Sequence, residues 1–342
     1  MLTLERRNET IITEFVLRGF GELQELHILL FILFLIIYIM TMAGNLIIVT
    51  LVVTDQHLHT PMYFFLGNLS CLETCYSSTI LPRMLTSLLS KNPGVSVNGC
   101  IVQLWAFVLL AVTECYLLAA MSYDRYIAIC RPLHYSVLMN FKVCLQLVAG
   151  SWIGSFLIDT ILLGFILQVT FCGHNVIEHF FCDFIPMMNL ACSDASRVKL
   201  VSAVLTSIST LPPFVLTIAS YVYIITAILG IPSATGRQKA FSTCSSHLIV
   251  VTIFYGSLTT VYLLQDNNQL RTLNKVFSIF YTILTPLVNP LIYSLRNKEV
   301  KEALRRAVNK YDHPVQTAAI QDYAVVPYRD QNCNLVIIST TL

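Results

Sequence analysis

Apolar residues in this chain run in long blocks with few charges rather than alternating. From His27 to Val53 there is no Asp, Glu, Lys or Arg, and about 20 such residues suffice to cross a bilayer as a helix. Six further blocks follow, and the pattern predicts spans over about 27–53, 61–89, 99–130, 143–167, 200–229, 240–264 and 273–295. Pro61 stands at the start of the second block, where a missing N–H costs a helix nothing. Residues 296–310 place Val300, Ala303, Leu304 and Val308 among alternating charges, as suits a helix lying on a membrane surface. The fold class expected is an all-α membrane protein, a seven-transmembrane helix bundle with a short amphipathic helix after the seventh span. Residues 1–26 are charged and have neither the apolar core nor the small-residue cleavage site of a signal peptide. They read as a tail, as do residues 311–342, which show no period and are expected to be disordered.

Composition agrees. Hydrophobic residues make up 56% of the chain and charged ones 12%, against about 25% charged in soluble domains. A net charge of +2 with no basic block excludes nucleic acid as a partner; membrane lipid is the surrounding partner. Arg131 and Lys142, then Arg237 and Lys239, then Arg296, Lys298, Lys301, Arg305 and Arg306 fall on one side of the predicted spans. The alternate loops hold Glu178, Asp183, Asp194 and Asp266. The positive-inside rule then puts the C-terminus in the cytosol and the N-terminus outside, in a multi-pass plasma-membrane protein. Asn8-Glu9-Thr10, an N-glycosylation triplet, falls on the outer side.

Several polar groups interrupt the apolar blocks. Asp124 and Arg125 stand where the third block meets a polar loop, a place where Arg can snorkel and Asp can partner it. Glu73, Glu114 and Asp159 lie within spans, where an ionised carboxylate is expensive. Glu114 precedes Arg125 by close to three helical turns, so the two share a face. Cys100, Cys172, Cys182 and Cys192 belong to the outer side, which suggests two disulfides with three pairings open. Zinc is the rival, because His174 and His179 share the long loop 169–199, but the spacing fits no common zinc pattern. Cys71, Cys75, Cys115, Cys130, Cys144 and Cys244 read as reduced packing residues.

The motifs, taken in order, carry a family resemblance. They are Gly44-Asn45, Pro61-Met62-Tyr63-Phe64-Phe65-Leu66, Met121-Ser122-Tyr123-Asp124-Arg125-Tyr126-Ile127-Ala128-Ile129-Cys130 and Ser220-Tyr221. Lys239-Ala240-Phe241-Ser242-Thr243-Cys244-Ser245-Ser246-His247 and Pro286-Leu287-Val288-Asn289-Pro290-Leu291-Ile292-Tyr293 complete the set. Over residues 8–310 the chain resembles the rhodopsin-like G-protein-coupled receptors, and within them the vertebrate olfactory receptors. Ser122 replaces the alanine more usual there, and the C-terminal tail is longer than is usual.

The resemblance implies a receptor, not an enzyme, that binds a small volatile odorant and activates a heterotrimeric stimulatory G protein of the olfactory type, raising cyclic AMP. It implies the pairings Cys100–Cys182 and Cys172–Cys192. It implies a coupling switch of Asp124, Arg125, Tyr126, Tyr221, His247, Asn289, Pro290 and Tyr293, with Asp124 holding the Arg125 guanidinium at rest. Glu73 and Glu114 would face one another beside Asn45 and Asn289. Two buried carboxylates cannot both ionise cheaply, so they share a proton or hold a cation; a sodium ion is the reading taken, and no other cofactor is expected. Helical spacing from these anchors places Phe107, Val108, Ala111, Val112, Leu205, Thr206, Ser209, Tyr255, Leu258, Thr259, Tyr262, Ile279 and Thr282 in the outer half as ligand contacts. The set is apolar with a few hydroxyls, as suits a small volatile ligand. A transporter or channel using Glu73, Glu114 and Asp159 is the alternative, although no internal repeat is visible. An intramembrane enzyme would need metal ligands or a partner for His247 that the chain does not show.

Overall fold

The structure, a computed structural model, describes residues 12–20, 25–90, 94–264, 271–296, 299–309, 328–329 and 335–336. The long helices are α1 (His27–Thr54), α2 (Pro61–Leu89), α3 (Val97–Cys130), α4 (Phe141–Ile166), α5 (Ser196–Leu229) and α6 (Ala234–Leu264). A seventh rod consists of α7 (Arg271–Ile279), a π-helical turn (Phe280–Leu284) and α8 (Thr285–Arg296). Residues 299–309 form a final helix, α9. Helix α3 runs through the centre, against α2, α4 and α5, while α1 packs on α2 and α8.

The bundle is apolar outside and partly polar inside. On α1 the buried stripe is Phe34, Thr41, Asn45, Ile48 and Leu51, at helical spacing, whereas Ile28, Ile32, Ile36 and Ile39 are exposed. A water-soluble helix would do the reverse, so the exposed face is one that meets lipid. Among the described residues, six helical segments are long and apolar enough to cross a membrane: His27–Thr54, Val97–Cys130, Phe141–Ile166, Ser196–Leu229, Cys244–Val261 and Lys275–Ile292. Helix α2 is not among them, although at 29 residues it reaches about 43 Å. Its polar content explains this: Glu73, Arg83, Asn68 and several hydroxyls lower its hydropathy, and Ser70, Glu73 and Ser77 are buried inside the bundle.

Helices α3, α4, α5 and α6 begin earlier than their apolar blocks, because capping groups rather than hydrophobicity set the first turn. Ser96 Oγ accepts from Gly99 N (3.1 Å) ahead of α3, and Asn140 Oδ1 from Val143 N (3.1 Å) ahead of α4. Asp194 Oδ1 accepts from Ser196 N (3.0 Å), and Ser233 Oγ from Gly236 N (3.3 Å), which starts α6 at Ala234.

One proline in the seventh rod is accommodated by α1. Pro290 has no N–H, so the carbonyl four residues back, on Pro286, lacks its helical donor. Asn45 Nδ2 supplies one at 3.1 Å. The approach is close: a Cβ on Gly44 would stand 3.1 Å from Pro290 Cβ.

The end of the bundle away from Arg125 is closed by loops. A three-stranded sheet has the order β2-β1-β3, with β1 Glu14–Leu17, β2 Gly94–Ser96 and β3 Val176–Ile177. β1 runs antiparallel to β2 (Phe15↔Val95) and parallel to β3 (Val16↔Val176). The segment read from sequence as part of a tail is therefore the middle strand of this cap. Its apolar positions are taken up: Phe15 is wholly buried against Phe171, and Phe20 stacks on Phe180. Two disulfides hold the cap, Cys100–Cys182 and Cys172–Cys192, the pairings the resemblance implies. Residues 328–329 and 335–336 make a short antiparallel pair. Asn8 lies outside the described residues.

His179 makes the cap sensitive to acid. Its ring lies 4.6 Å from those of Phe180 and Phe181, and neither nitrogen has a hydrogen-bond partner. Burial pulls its pKa from 6.5 down to about 3, with Lys275 adding to the effect. Asp183 moves oppositely, from 3.8 up to about 6, because burial outweighs its bond from Phe184 N. The unfolded chain thus binds the extra proton at His179 between pH 6.5 and 3, and stability falls there on acidification by up to about 1.4 kcal/mol per pH unit. Asp183 offsets this between pH 6 and 3.8. His179→Leu removes the larger contribution, so the melting temperature of the purified protein should drop from pH 6.5 to 5 in the wild type and hold or rise in the variant. An unchanged drop would assign the acid sensitivity elsewhere.

Candidate functional site

Three regions contain the residues singled out by sequence. Mid-bundle, Asn45, Glu73, Glu114 and Asn289 are buried on four different helices, α1, α2, α3 and α8. Asn289 Nδ2 donates to Glu73 Oε1, and the two carboxyl groups interact electrostatically. Glu73 Oε2, both oxygens of Glu114 and Asn45 Oδ1 are buried with no hydrogen-bond partner. Buried acceptors left so are costly, and hard oxygen donors of this kind suit a small hard cation. The residues present therefore fit the sodium ion expected from sequence.

At the Asp124–Arg125 end, Asp124 is buried and accepts from Tyr135 Oη (2.8 Å), a residue of the short helix Tyr135–Leu138. Arg125 Nη2 is buried without a partner. The expected Asp124 grip on Arg125 thus has a competitor that sequence spacing did not reveal. Tyr221 Oη and His247 Nδ1 are 2.6 Å apart, with their rings stacked. Arg125 lies near enough to act electrostatically on His247 and Cys244. Tyr126 contacts a second apolar cluster formed by Tyr221, Ile224, Ile228 and Cys244, and its ring lies 5.7 Å from that of Tyr223. The Tyr293 side chain lies outside the described residues.

Toward the capped end, Phe107 is the centre of an aromatic group. Its ring lies 4.9 Å from Phe181, 5.5 Å from Tyr76 and 6.2 Å from Tyr281. Val112, Ser209, Tyr255 and Thr282 are buried, while Val108, Ala111, Leu205, Thr206, Leu258 and Ile279 are half-buried. Tyr255 Oη donates to the Cys115 carbonyl (3.2 Å), Ser209 Oγ to the Thr206 carbonyl (3.0 Å) and Thr282 Oγ1 to the Ser278 carbonyl (2.6 Å). Thr259 is exposed and does not share the inner face. The Tyr262 side chain lies outside the described residues. Tyr76, Tyr281 and Phe181 were not anticipated. Tyr76 follows Glu73 by one helical turn, a signal the sequence did contain, whereas Phe181 reaches Phe107 through the loop tied down by Cys182.

Asp159 is buried with Oδ2 unpartnered. Among the described residues, no cluster of three or more His, Cys, Asp or Glu side chains could hold a metal ion.

This arrangement has solved and sequenced counterparts. The fold matches the crystal structure of squid rhodopsin with a TM-score of 0.68 at 19% identity, covering 84% of this chain and 87% of that one. In sequence, the chain is similar to human Olfactory receptor 6B1, 48% identical over 89% of this chain and 97% of the relative. It is similar to human Olfactory receptor 6N1 at 46% identity over 90% and 98%, and to mouse Olfactory receptor 8U3 at 44% over 89% and 95%. The family model described as "Olfactory receptor" matches residues 34–310, a stretch that takes in the polar core, the Arg125 end and the aromatic group alike. On that breadth of match the chain belongs to the vertebrate olfactory receptors, within the rhodopsin-like G-protein-coupled receptor family.

Proposed function

We propose that this receptor binds a small volatile odorant in the half of the bundle beneath the disulfide-tied cap and activates a stimulatory, olfactory-type G protein, raising cyclic AMP. The observation that carries the reading is kinship to olfactory receptors over 89% of the chain. Geometry supplies the means. In this reading α2 is the seventh crossing, the cap and Asn8 are extracellular, and Arg125 and α9 are cytosolic, as the distribution of Lys and Arg requires.

Phe107, with the Tyr76, Phe181 and Tyr281 rings around it, offers the apolar, shape-selective surface a volatile molecule needs. Ligand shifts a balance between two packings of the cytosolic helix ends. Arg125, whose Nη2 has no partner in the bundle, turns to the G protein, while the Tyr221–His247 contact and the proline-containing turn at Asn289-Pro290 rearrange. Asn45, Glu73, Glu114 and Asn289 would hold a sodium ion in the inactive state, where it supplies the positive charge that lets both carboxyl groups stay ionised. Glu114→Gln should then abolish the dependence of basal signalling on sodium concentration; persistence of that dependence would favour a shared proton.

The deciding experiment measures cyclic AMP in cells expressing the receptor with an olfactory-type G protein, across a broad odorant panel. Arg125→Ala, matched for surface expression, runs beside it. The response is expected to disappear in the variant; a response that survives overturns the assigned role of Arg125.

A further inference from the structure

Two buried polar atoms of opposite kind stand between α3 and α4. Asp159 is 3% exposed, and its Oδ2 has no hydrogen-bond partner. Trp105 Nε1 is likewise buried without one. The two helices pack on each other, and Trp105 meets Phe156 edge to face, with ring centroids 5.9 Å apart. Asp159 follows Phe156 by three residues, which puts it on the next turn, about 4.5 Å further along α4. An acceptor and a donor thus come to the same stretch of one interface, and they do not bond each other. The other polar groups of the stripe are engaged with their own helix. Ser155 Oγ donates to the Ser151 carbonyl and Ser151 Oγ to the Leu147 carbonyl, each at 2.7 Å. Among the described residues, no Lys, Arg or His pairs with Asp159. Leaving both atoms unmet is costly, and an intramembrane carboxyl group is by default a candidate site.

We propose that Asp159 and Trp105 form a subsite for the hydroxyl group of a small alcohol dissolved in the membrane. The two atoms select the functional group. A hydroxyl both donates and accepts, so it can donate to Asp159 Oδ2 while accepting from Trp105 Nε1. A ketone or an ether only accepts and leaves Asp159 unmet. An ammonium group only donates and leaves Trp105 unmet. A carboxylate is repelled by the Asp159 carboxyl group. Phe156 is 47% exposed, so the subsite borders the lipid, where the apolar body of an alcohol partitions. The site is separate from the odorant site proposed above and does not rest on it. Trp105 and Phe107 are two residues apart, about 200° around α3. Trp105 accordingly turns to Phe156 of α4, and Phe107 to Tyr76 of α2 and to Phe181. Water has the same hydroxyl chemistry, and two arms of the test separate it from an alcohol.

The test uses the purified full-length receptor in phosphatidylcholine nanodiscs. A diazirine-bearing 1-octanol is photolysed, and labelled peptides are mapped by mass spectrometry. Label is expected on the peptides containing Trp105 and Asp159, displaced by excess 1-octanol and not by octyl methyl ether. Asp159→Leu removes the acceptor, and Trp105→Phe removes the N–H while keeping an aromatic ring. Each should cut the label about tenfold, the loss of one buried hydrogen bond. Asp159→Asn keeps an acceptor oxygen and should retain most of it. The second arm reads the indole N–H of Trp105 by resonance Raman in a Trp152→Phe background, which leaves Trp105 as the only tryptophan. Its N–H band should shift when 1-octanol is added. An unshifted band together with no displaceable label would assign the hydroxyl to water and overturn the proposal. So would equal displacement by the ether, or label that neither Asp159→Leu nor Trp105→Phe reduces. Equal loss in Asp159→Asn and Asp159→Leu would reveal a merely structural residue and overturn it as well.

Discussion

Cys100→Ser should prevent most of the chain from reaching the cell surface and should lower the melting temperature of whatever does. The bond from Cys100 to Cys182 closes a ring with a sequence separation of 82 residues. In the chain-entropy account, a ring of that size is worth roughly 4.5 kcal/mol. The bond also sets the position of a loop. Cys182 N donates to Gln103 Oε1 (3.1 Å), and the neighbouring Phe181 touches Phe107, so freeing Cys182 releases one wall of the proposed ligand site. Cys172→Ser opens a ring with a separation of only 20 residues, worth roughly 3 kcal/mol by the same relation. It should be the milder variant in both surface delivery and melting temperature. Wild-type melting and delivery in Cys100→Ser would mean that the sheet and its aromatic contacts hold the cap without the disulfide.

Asn45→Val should destabilise the bundle by about 1–3 kcal/mol, the cost of leaving a buried carbonyl unpaired. What distinguishes this from any core substitution is its dependence on a second residue. Pro286 needs Asn45 only because Pro290 has no N–H. Introduced into a Pro290→Ala background, where residue 290 can donate to Pro286 itself, Asn45→Val should cost markedly less, with a coupling between the two sites of about 1 kcal/mol or more. Melting of the four purified proteins of the cycle measures this. Strictly additive effects would show that the Asn45–Pro286 contact does not substitute for the missing helical bond. The pairing also accounts for Gly44, next to Asn45, where a larger residue would press on the Pro290 ring.

Much of this receptor is local in origin. Apolar blocks with few charges, long enough to cross a bilayer, specify helices, because lipid offers the backbone no other hydrogen-bond partners. Their order and the motifs at their ends were enough to name the family and to single out Arg125, Glu73 and Glu114. Hydrophobicity is nevertheless a poor guide to where a helix begins: Ser96, Asn140 and Ser233 start α3, α4 and α6 by capping, and a cap is a single polar residue. Nor does it judge α2 well, whose polar residues are sheltered by its neighbours.

Tertiary structure decided the contacts whose partners are far apart in the chain and carry no mutual signature. Phe15 reads as one apolar residue in a charged tail until Val95 and Val176 flank its strand. Tyr135 looks like a loop residue until its hydroxyl reaches Asp124, eleven positions back and around the end of a helix. Phe181 lies against Phe107 only because the loop tied down by Cys182 folds over the bundle. Helix formation and membrane insertion depend on a residue's own surroundings over one or two turns, so sequence determines them. Which side chains then satisfy one another, and which spaces stay open, depends on how the helices lean together, and that is settled by packing.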